Sequence, residues 1–170
     1  ASVSGQVRGL PTAYPTLLVA LNRLRHGETG PRQYAARGAA RVEAHLLPQG
    51  PDAATLVLDL TLSPGWHLNA DRPLQDYLIP TRVRLAGDTP GWRLGEARHP
   101  PPEVIKLGFQ HEPLAVYQGQ VRIEAALERT ANPDGRAHPW LPLELRLQAC
   151  NDTLCLPPET LVLQVPITGQ

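Results

Sequence analysis

The fold is decided by residues 141–167, which read LPLELRLQACNDTLCLPPETLVLQVPI. In both halves of this stretch apolar residues alternate with other residues, and they are Leu141, Leu143, Leu145 and Leu147, then Leu161, Leu163, Val165 and Ile167. A period of two is typical of a strand with one buried face. Two such runs joined by a short polar segment predict an antiparallel hairpin.

The two cysteines of the chain, Cys150 and Cys155, lie where the predicted strands enter and leave their connection. This places their Cα atoms within reach of a disulfide, which needs a separation of about 4.4–6.8 Å. A disulfide that closes so short a loop adds little stability in the chain-entropy model, whereas a bond at an exposed hairpin tip is accessible to an attacking thiolate. Spacing alone leaves two interpretations open, a structural staple and an exchangeable dithiol.

From Arg41 onward, short apolar segments are separated by turn residues. The chain contains 19 prolines and 14 glycines but only 5% aromatic residues, a composition that favours short strands over long helices. Further strands are predicted at 42–47, 55–62, 66–69, 78–85, 92–97 and 116–127, the last being the clearest central strand. About seven to nine short strands with turns between them predict an all-β fold, an immunoglobulin-like β-sandwich.

An amino-terminal helix is predicted over residues 12–26, where four leucines follow helical spacing. We therefore expect two parts, an extension with one helix at residues 1–37 and a β-sandwich at residues 38–170. The extension is either the tail of an upstream domain or a helix that belongs to the sandwich. The sequence contains no methionine, even at position 1, so we expect it to be part of a longer secreted or membrane-anchored protein.

Composition argues against several classes of function. Lys plus Arg and Asp plus Glu each total 16 and no basic stripe is visible, so nucleic-acid binding is not expected. Histidines such as His67, His99 and His111 have no metal-ligand spacing to one another or to the cysteines, so no metal site is expected. The chain also lacks the nucleophile motif of a Ser-His-Asp hydrolase.

Three stretches resemble one protein family. Residues 148–160, QACNDTLCLPPET, resemble the redox loop of the amino-terminal (alpha) domain of the thiol:disulfide interchange protein DsbD. Residues 65–69, GWHLN, together with the proline-containing residues 73–81, are similar to an early segment of the family. Residues 114–121, LAVYQGQV, are similar to the strand before its hairpin. Order and spacing agree, so the resemblance covers most of residues 38–170, and the cysteine loop is its specific part.

The resemblance implies a periplasmic or otherwise extracytoplasmic thiol–disulfide exchange module with Cys150 and Cys155 as its catalytic pair. Such a module is one component of a thiol:disulfide oxidoreductase and needs no cofactor. Its expected partners are a membrane-embedded thiol donor and thioredoxin-like or disulfide isomerase acceptors, and we expect a monomer. By the same analogy Cys155 is held in mixed disulfides, although the residues themselves do not assign the two roles. The alternative is a non-catalytic immunoglobulin-like interaction module with a structural disulfide.

The resemblance also points to residues around the pair. Phe109 matches an aromatic cap that shields the disulfide until a partner displaces it. The alternative is that Phe109 is a partly buried residue that anchors its loop. His67 and Asn69 stand where better-known members carry tyrosines near the cysteines. A histidine beside a thiol favours the thiolate, which would give His67 a role in exchange. The alternative is that His67 is a surface or hydrogen-bonded residue. The negative charges of Asp152 and Glu159 are expected to raise the pKa of a nearby cysteine thiol. The alternative is that these residues only make the loop polar. The cysteine spacing is one residue shorter than in those members.

Overall fold

The computed structural model describes residue 20 and residues 29–87, 89–108, 111–132, 135 and 138–167. Apart from Ala20, the helix predicted over residues 12–26 lies outside these residues. Among the described residues, no helix is both long and apolar enough to span a membrane. The prediction of an all-β, immunoglobulin-like sandwich is confirmed there, because nearly all regular structure is strand.

From residue 29 onward the described residues form twelve strands and one short 3-10 helix. The helix is Ala36–Gly38. The strands are β1 Arg32–Ala35, β2 Ala40–Gly50, β3 Ala53–Leu62, β4 His67–Asn69, β5 Arg82–Leu85, β6 Trp92–Leu94, β7 Glu103–Ile105, β8 Leu114–Gln118, β9 Gln120–Arg129, β10 Trp140–Leu147, β11 Ala149–Cys150 and β12 Glu159–Pro166. More strands form than were predicted, because several are too short for a period of two to be visible.

The strands form three antiparallel sheets. Sheet A has the order β1-β2-β3-β9-β6, sheet B has the order β11-β4-β8-β7, and sheet C has the order β12-β10-β5. The apolar faces of the three sheets meet in one main core, to which each contributes a fully buried leucine: Leu58, Leu68 and Leu143. Burying a leucine side chain contributes about 1.5–3 kcal/mol, so this shared core holds the layers together.

The hairpin predicted from residues 141–167 is confirmed. β10 pairs with β12 in antiparallel register, from Trp140 opposite Pro166 to Leu147 opposite Glu159. The four alternating leucines of β10 have no exposed surface, as the period of two predicts. This pairing places residues 148–158, with both cysteines, in the connection between the two strands.

The single central strand predicted over residues 116–127 is wrong, because the structure divides it into β8 and β9. Gly119 separates the two strands with a φ of 63°, a conformation that residues with a side chain rarely adopt. The break sends the chain from sheet B to sheet A, where β9 pairs with β3. A glycine inside a strand pattern is the sequence signal for such a break.

The strand predicted over residues 78–85 begins only at Arg82. Leu78 instead packs in a small apolar cluster that is separate from the main core. The hydroxyl of Thr81 donates to the carbonyl oxygen of Asn69 over 2.6 Å. Residues 78–81 therefore run alongside the end of β4 as a loop and do not extend sheet C.

Two other predicted strands have different lengths in the structure. β2 continues past Leu47 to Gly50 with an irregular register, so the turn predicted at residues 48–52 is confined to Pro51 and Asp52. The strand predicted at 92–97 ends at Leu94. These differences affect strand ends, which local pattern specifies least well.

The amino-terminal side of the sandwich includes β1, which pairs with β2 at the edge of sheet A. β1 precedes the division predicted at residue 38. The assignment of residues 1–37 to a separate extension stays a prediction. Within this range, β1 is already part of sheet A through its pairing with β2.

Candidate functional site

The connection between β10 and β12 carries a disulfide between Cys150 and Cys155, whose Cα atoms are 4.0 Å apart. Cys150 belongs to β11, which pairs with β4, and it has no exposed surface. Cys155 lies at the end of the loop and is exposed. The two cysteines of one disulfide therefore have different surroundings, since Cys150 is enclosed by the protein and Cys155 is exposed.

The loop between the cysteines is closed by hydrogen bonds as well as by the disulfide. The side-chain oxygen of Asn151 accepts from the backbone N–H groups of Thr153 and Leu154 over 2.9 and 3.0 Å. The N–H of Asn151 donates to the carbonyl oxygen of Leu154, and that of Leu156 to the carbonyl oxygen of Ala149. An asparagine side chain that bonds to following backbone groups is a common way to form a tight turn.

Asn69 and Gln148 connect the loop to the sandwich. The amide nitrogen of Asn69 donates to the side-chain oxygen of Gln148 and to the carbonyl oxygen of Ile79, both over 3.1 Å. The amide nitrogen of Gln148 donates to the carbonyl oxygen of Leu156 over 3.2 Å. Asn69 is fully buried, so it positions Gln148, two residues before Cys150, and the segment that follows the second cysteine.

His67 lies directly opposite Cys150 in the pairing of β4 with β11. It is 2% exposed and is therefore not a surface residue. Its Nε2 is buried without a hydrogen-bond partner among the described residues. Burial lowers the pKa of the imidazole below its ordinary value, and the negative charge of Asp152 on the hairpin loop opposes this shift. The ring is consequently neutral at pH 7.

Both faces of sheet B carry an apolar cluster. Leu68, Ala115, Tyr117 and Ala149 face the main core, and the opposite face carries a second cluster, formed by Leu78, Leu107, Leu114 and Val116 with Ile105 packed against them. In the pairing of β4 with β8, Val116 lies opposite Asn69. Since residues two apart share a face, His67 and Cys150 lie on the same side of sheet B as the second cluster.

Sequence reasoning missed this second cluster. The signal was present in residues 114–117, LAVY, because an uninterrupted apolar run is typical of a strand that is covered on both faces. All four of these residues are buried. The strand predicted over residues 116–127 includes only the last two residues of this run.

Phe109, the predicted cap, lies outside the described residues, and its role stays a prediction. The segments on either side of it are described. Leu107 is buried in the second cluster, and the carbonyl oxygen of Pro113 accepts from the side-chain nitrogen of Gln75 over 2.8 Å. The chain therefore enters this loop from the side of sheet B that carries Cys150.

The two acidic residues predicted near the sulfurs have different environments. The carboxylate of Glu159 accepts from the backbone N–H of Ala36 over 2.9 Å, so it binds the turn after β1. Asp152 is exposed in the hairpin loop and acts on His67 through its charge. Only Asp152 thus has an electrostatic effect on a neighbour of the disulfide.

The sequence matches a family model described as thiol:disulfide interchange protein DsbD, N-terminal, over residues 35–166. These residues include the described strands from β2 to β12. No curated protein sequence matches the chain.

A comparison with solved structures finds three to which the chain is similar. The N-terminal periplasmic domain of ScsB from Proteus mirabilis has a TM-score of 0.46 and 16% identity, and the match covers 76% of this chain and 48% of that chain. The chain thus spans about half of that domain. The reduced DsbD N-terminal domain of Neisseria meningitidis has a TM-score of 0.47 and 15% identity, and the match covers 79% of this chain and 90% of that chain. The GAE domain of GGA2p from Saccharomyces cerevisiae has a TM-score of 0.47 and 10% identity, and the match covers 79% of this chain and 97% of that chain.

Replacing Gln148 by alanine is expected to lower the free energy of unfolding by about 1–3 kcal/mol, because the buried amide of Asn69 loses one of its two acceptors. Urea denaturation of the oxidised chain measures this loss. Gln49→Ala is the matched control, since Gln49 makes an exposed hydrogen bond to Thr55 and its removal should cost less than about 0.5 kcal/mol. Equal losses for the two variants would contradict a positioning role for Gln148.

Proposed function

This chain belongs to the family of N-terminal domains of the thiol:disulfide interchange protein DsbD, and we propose that it relays reducing equivalents outside the cytoplasm through Cys150 and Cys155. Family membership and the disulfide-forming pair support a thiol–disulfide exchange module. The relay role draws its support from one observation, the exposure of Cys155 beside a fully buried Cys150.

The difference in exposure supports a fixed order of attack when the module is reduced. A donor thiolate attacks Sγ of Cys155 and forms a mixed disulfide with it, because Cys155 is the exposed residue of the pair. The bond to Cys150 breaks, and its electron pair stays on the Cys150 sulfur. A second donor thiol then attacks the mixed disulfide and releases Cys155 as a thiolate, which leaves the module reduced by two electrons.

The same exposure favours Cys155 when the module gives its electrons away. The Cys155 thiolate attacks the disulfide of an acceptor, and Cys150 then attacks Cys155 and releases the reduced acceptor. The chemistry requires only sulfur atoms and protons, so no cofactor takes part. We assign the donor role to a membrane-embedded thiol protein and the acceptor role to thioredoxin-like or disulfide isomerase proteins. The periplasm suits this exchange, because disulfides form and persist there.

The hydrogen bonds of the loop favour exchange over a structural staple. Asn151 closes the tip of the loop, and Gln148 binds the segment after Cys155. Neither interaction involves a sulfur atom, so the loop retains its closure when the disulfide opens. A staple would be expected where no other interaction holds the two ends of a loop together.

Two single-cysteine variants test the order of attack. In Cys150→Ser, the remaining Cys155 is expected to react with oxidised glutathione at least about tenfold faster than the remaining Cys150 does in Cys155→Ser, because access limits thiol exchange. Mass spectrometry of quenched samples gives both rates. A thioredoxin-like protein should form a stable mixed disulfide with the Cys150→Ser variant and not with the Cys155→Ser variant.

The control for these variants is the same reaction in urea, where both thiols are accessible and should react at similar rates. Equal rates in the folded variants, or a faster Cys150, would contradict the proposed order. If neither folded variant forms a mixed disulfide, the pair is a structural staple and the chain is an interaction module.

We also propose that Phe109 caps the disulfide. Phe109→Ala is then expected to accelerate reduction of the folded chain by glutathione by about three- to tenfold, because the cap no longer limits access to Cys155. The matched control is Leu47→Ala, which removes an apolar side chain that is 45% exposed on sheet A. A rate in Phe109→Ala equal to that of Leu47→Ala would exclude the cap.

A further inference from the structure

Strands β11, β4 and β8 align three residues, Cys150, His67 and Gln118, in one row across sheet B. Residues directly opposite each other in antiparallel strands have Cβ atoms about 4.5–5.5 Å apart and side chains on the same face. His67 and Cys150 are therefore cross-strand neighbours whose side chains lie on the same face of sheet B. Both residues are buried, with 2% and 0% of their surface exposed.

The side-chain amide nitrogens near this row have acceptors, but among the described residues the Oδ1 of Asn69 lacks a partner, and so does one nitrogen of His67. Its Nε2 is buried and has no hydrogen-bond partner among the described residues. The amide nitrogen of Gln118 donates to Glu103 over 2.8 Å, and that of Asn69 donates to Gln148. A buried polar atom without a partner is costly, and one explanation for such an atom is a chemical role in another state of the protein.

The proposed relay creates a state in which Cys150 must lose a proton. After Cys155 has attacked an acceptor disulfide, Cys150 is a buried thiol that has to ionise before it attacks Cys155. Apolar surroundings disfavour a thiolate, and bulk water does not reach this sulfur because Cys150 has no exposed surface. A base beside Cys150 would remove this barrier.

We propose that His67 is the general base for Cys150 in this step, an inference that rests on the proposed function. The Cys150 thiol passes its proton to Nε2 of His67, and its electron pair attacks Sγ of Cys155. The Cys150–Cys155 bond forms while the bond between Cys155 and the acceptor breaks. The acceptor sulfur leaves with that electron pair and takes up a proton. The module is thereby oxidised by two electrons, and the acceptor disulfide is reduced by two.

The charges around His67 suit a base. Burial lowers the pKa of the ring and keeps it neutral, while the negative Asp152 stabilises the imidazolium that forms when the proton arrives. The other titratable groups in the described segments that flank this face are exposed, and they include Asp76, Tyr77, Glu103, Lys106, His111 and Glu112. The resolving step should therefore slow as the pH falls below the pKa of His67, where the ring is already protonated.

The test is the lifetime of the mixed disulfide between Cys155 and glutathione. Reduced chain is mixed with oxidised glutathione, quenched with acid and analysed by mass spectrometry. In His67→Gln the mixed disulfide is expected to persist at least about tenfold longer at pH 7, since loss of a positioned base costs one to several orders of magnitude. In the same variant, the plot of the resolving rate against pH should no longer show the inflection that titration of His67 produces in the wild type. Formation of the mixed disulfide by Cys150→Ser should not change when His67→Gln is added.

His99→Gln is the matched control. Its Nε2 is likewise buried without a partner among the described residues, but its ring stacks on Tyr117, which faces the main core. The mixed disulfide of this variant should have the wild-type lifetime. Equal lifetimes in wild type and His67→Gln, or equal lengthening in both histidine variants, would overturn the role of His67. A wild-type chain that forms no mixed disulfide at all would instead overturn the proposed function.

A measurement on the wild-type chain covers the case in which His67→Gln does not fold. Groups that exchange a proton titrate as a coupled pair, so the ring resonances of His67 should titrate differently in the oxidised and reduced chains. Identical titration of His67 in the two redox states, followed by NMR, would contradict the inference.

Discussion

The antiparallel pairing of β11 with β4 is the interaction on which the site depends. It consists of only two residue pairs, Ala149 opposite Leu68 and Cys150 opposite His67. The first pair faces the main core and the second pair faces the side of the second cluster. Because both faces of sheet B are covered, Cys150 is enclosed while Cys155, at the end of the loop, remains accessible. The asymmetry of the disulfide is therefore a consequence of how the sheet is packed.

An exchange module has to be stable in two covalent states, and the distribution of interactions in this chain meets that requirement. The leucines of β10 hold the hairpin in the main core without any contribution from sulfur. Asn151 closes the loop locally, and the pair formed by Gln148 and Asn69 ties it to β4. A disulfide across so short a loop removes little entropy from the unfolded chain. Opening the bond thus changes reactivity more than it changes the fold.

The sequence predicted those parts of the structure whose pattern is strong and local. The alternating leucines of β10 gave a correct hairpin, and the cysteine loop gave the position of the disulfide. The break at Gly119 was missed, because strong apolar residues on both sides of the glycine resemble one continuous strand. The burial of His67 was missed for a different reason. A three-residue strand is too short to show a period, so the sequence does not indicate that all three residues of β4 are buried.

The reduction potential of the Cys150–Cys155 pair tests the central claim most directly. It is measured by equilibrating the chain with mixtures of reduced and oxidised glutathione or dithiothreitol. Structural disulfides of secreted proteins generally lie below about −300 mV. An exchanging pair is predicted at roughly −200 to −250 mV, together with rapid exchange with a thioredoxin-like protein. A potential below about −300 mV without exchange would contradict a relay and leave an immunoglobulin-like domain with a structural disulfide.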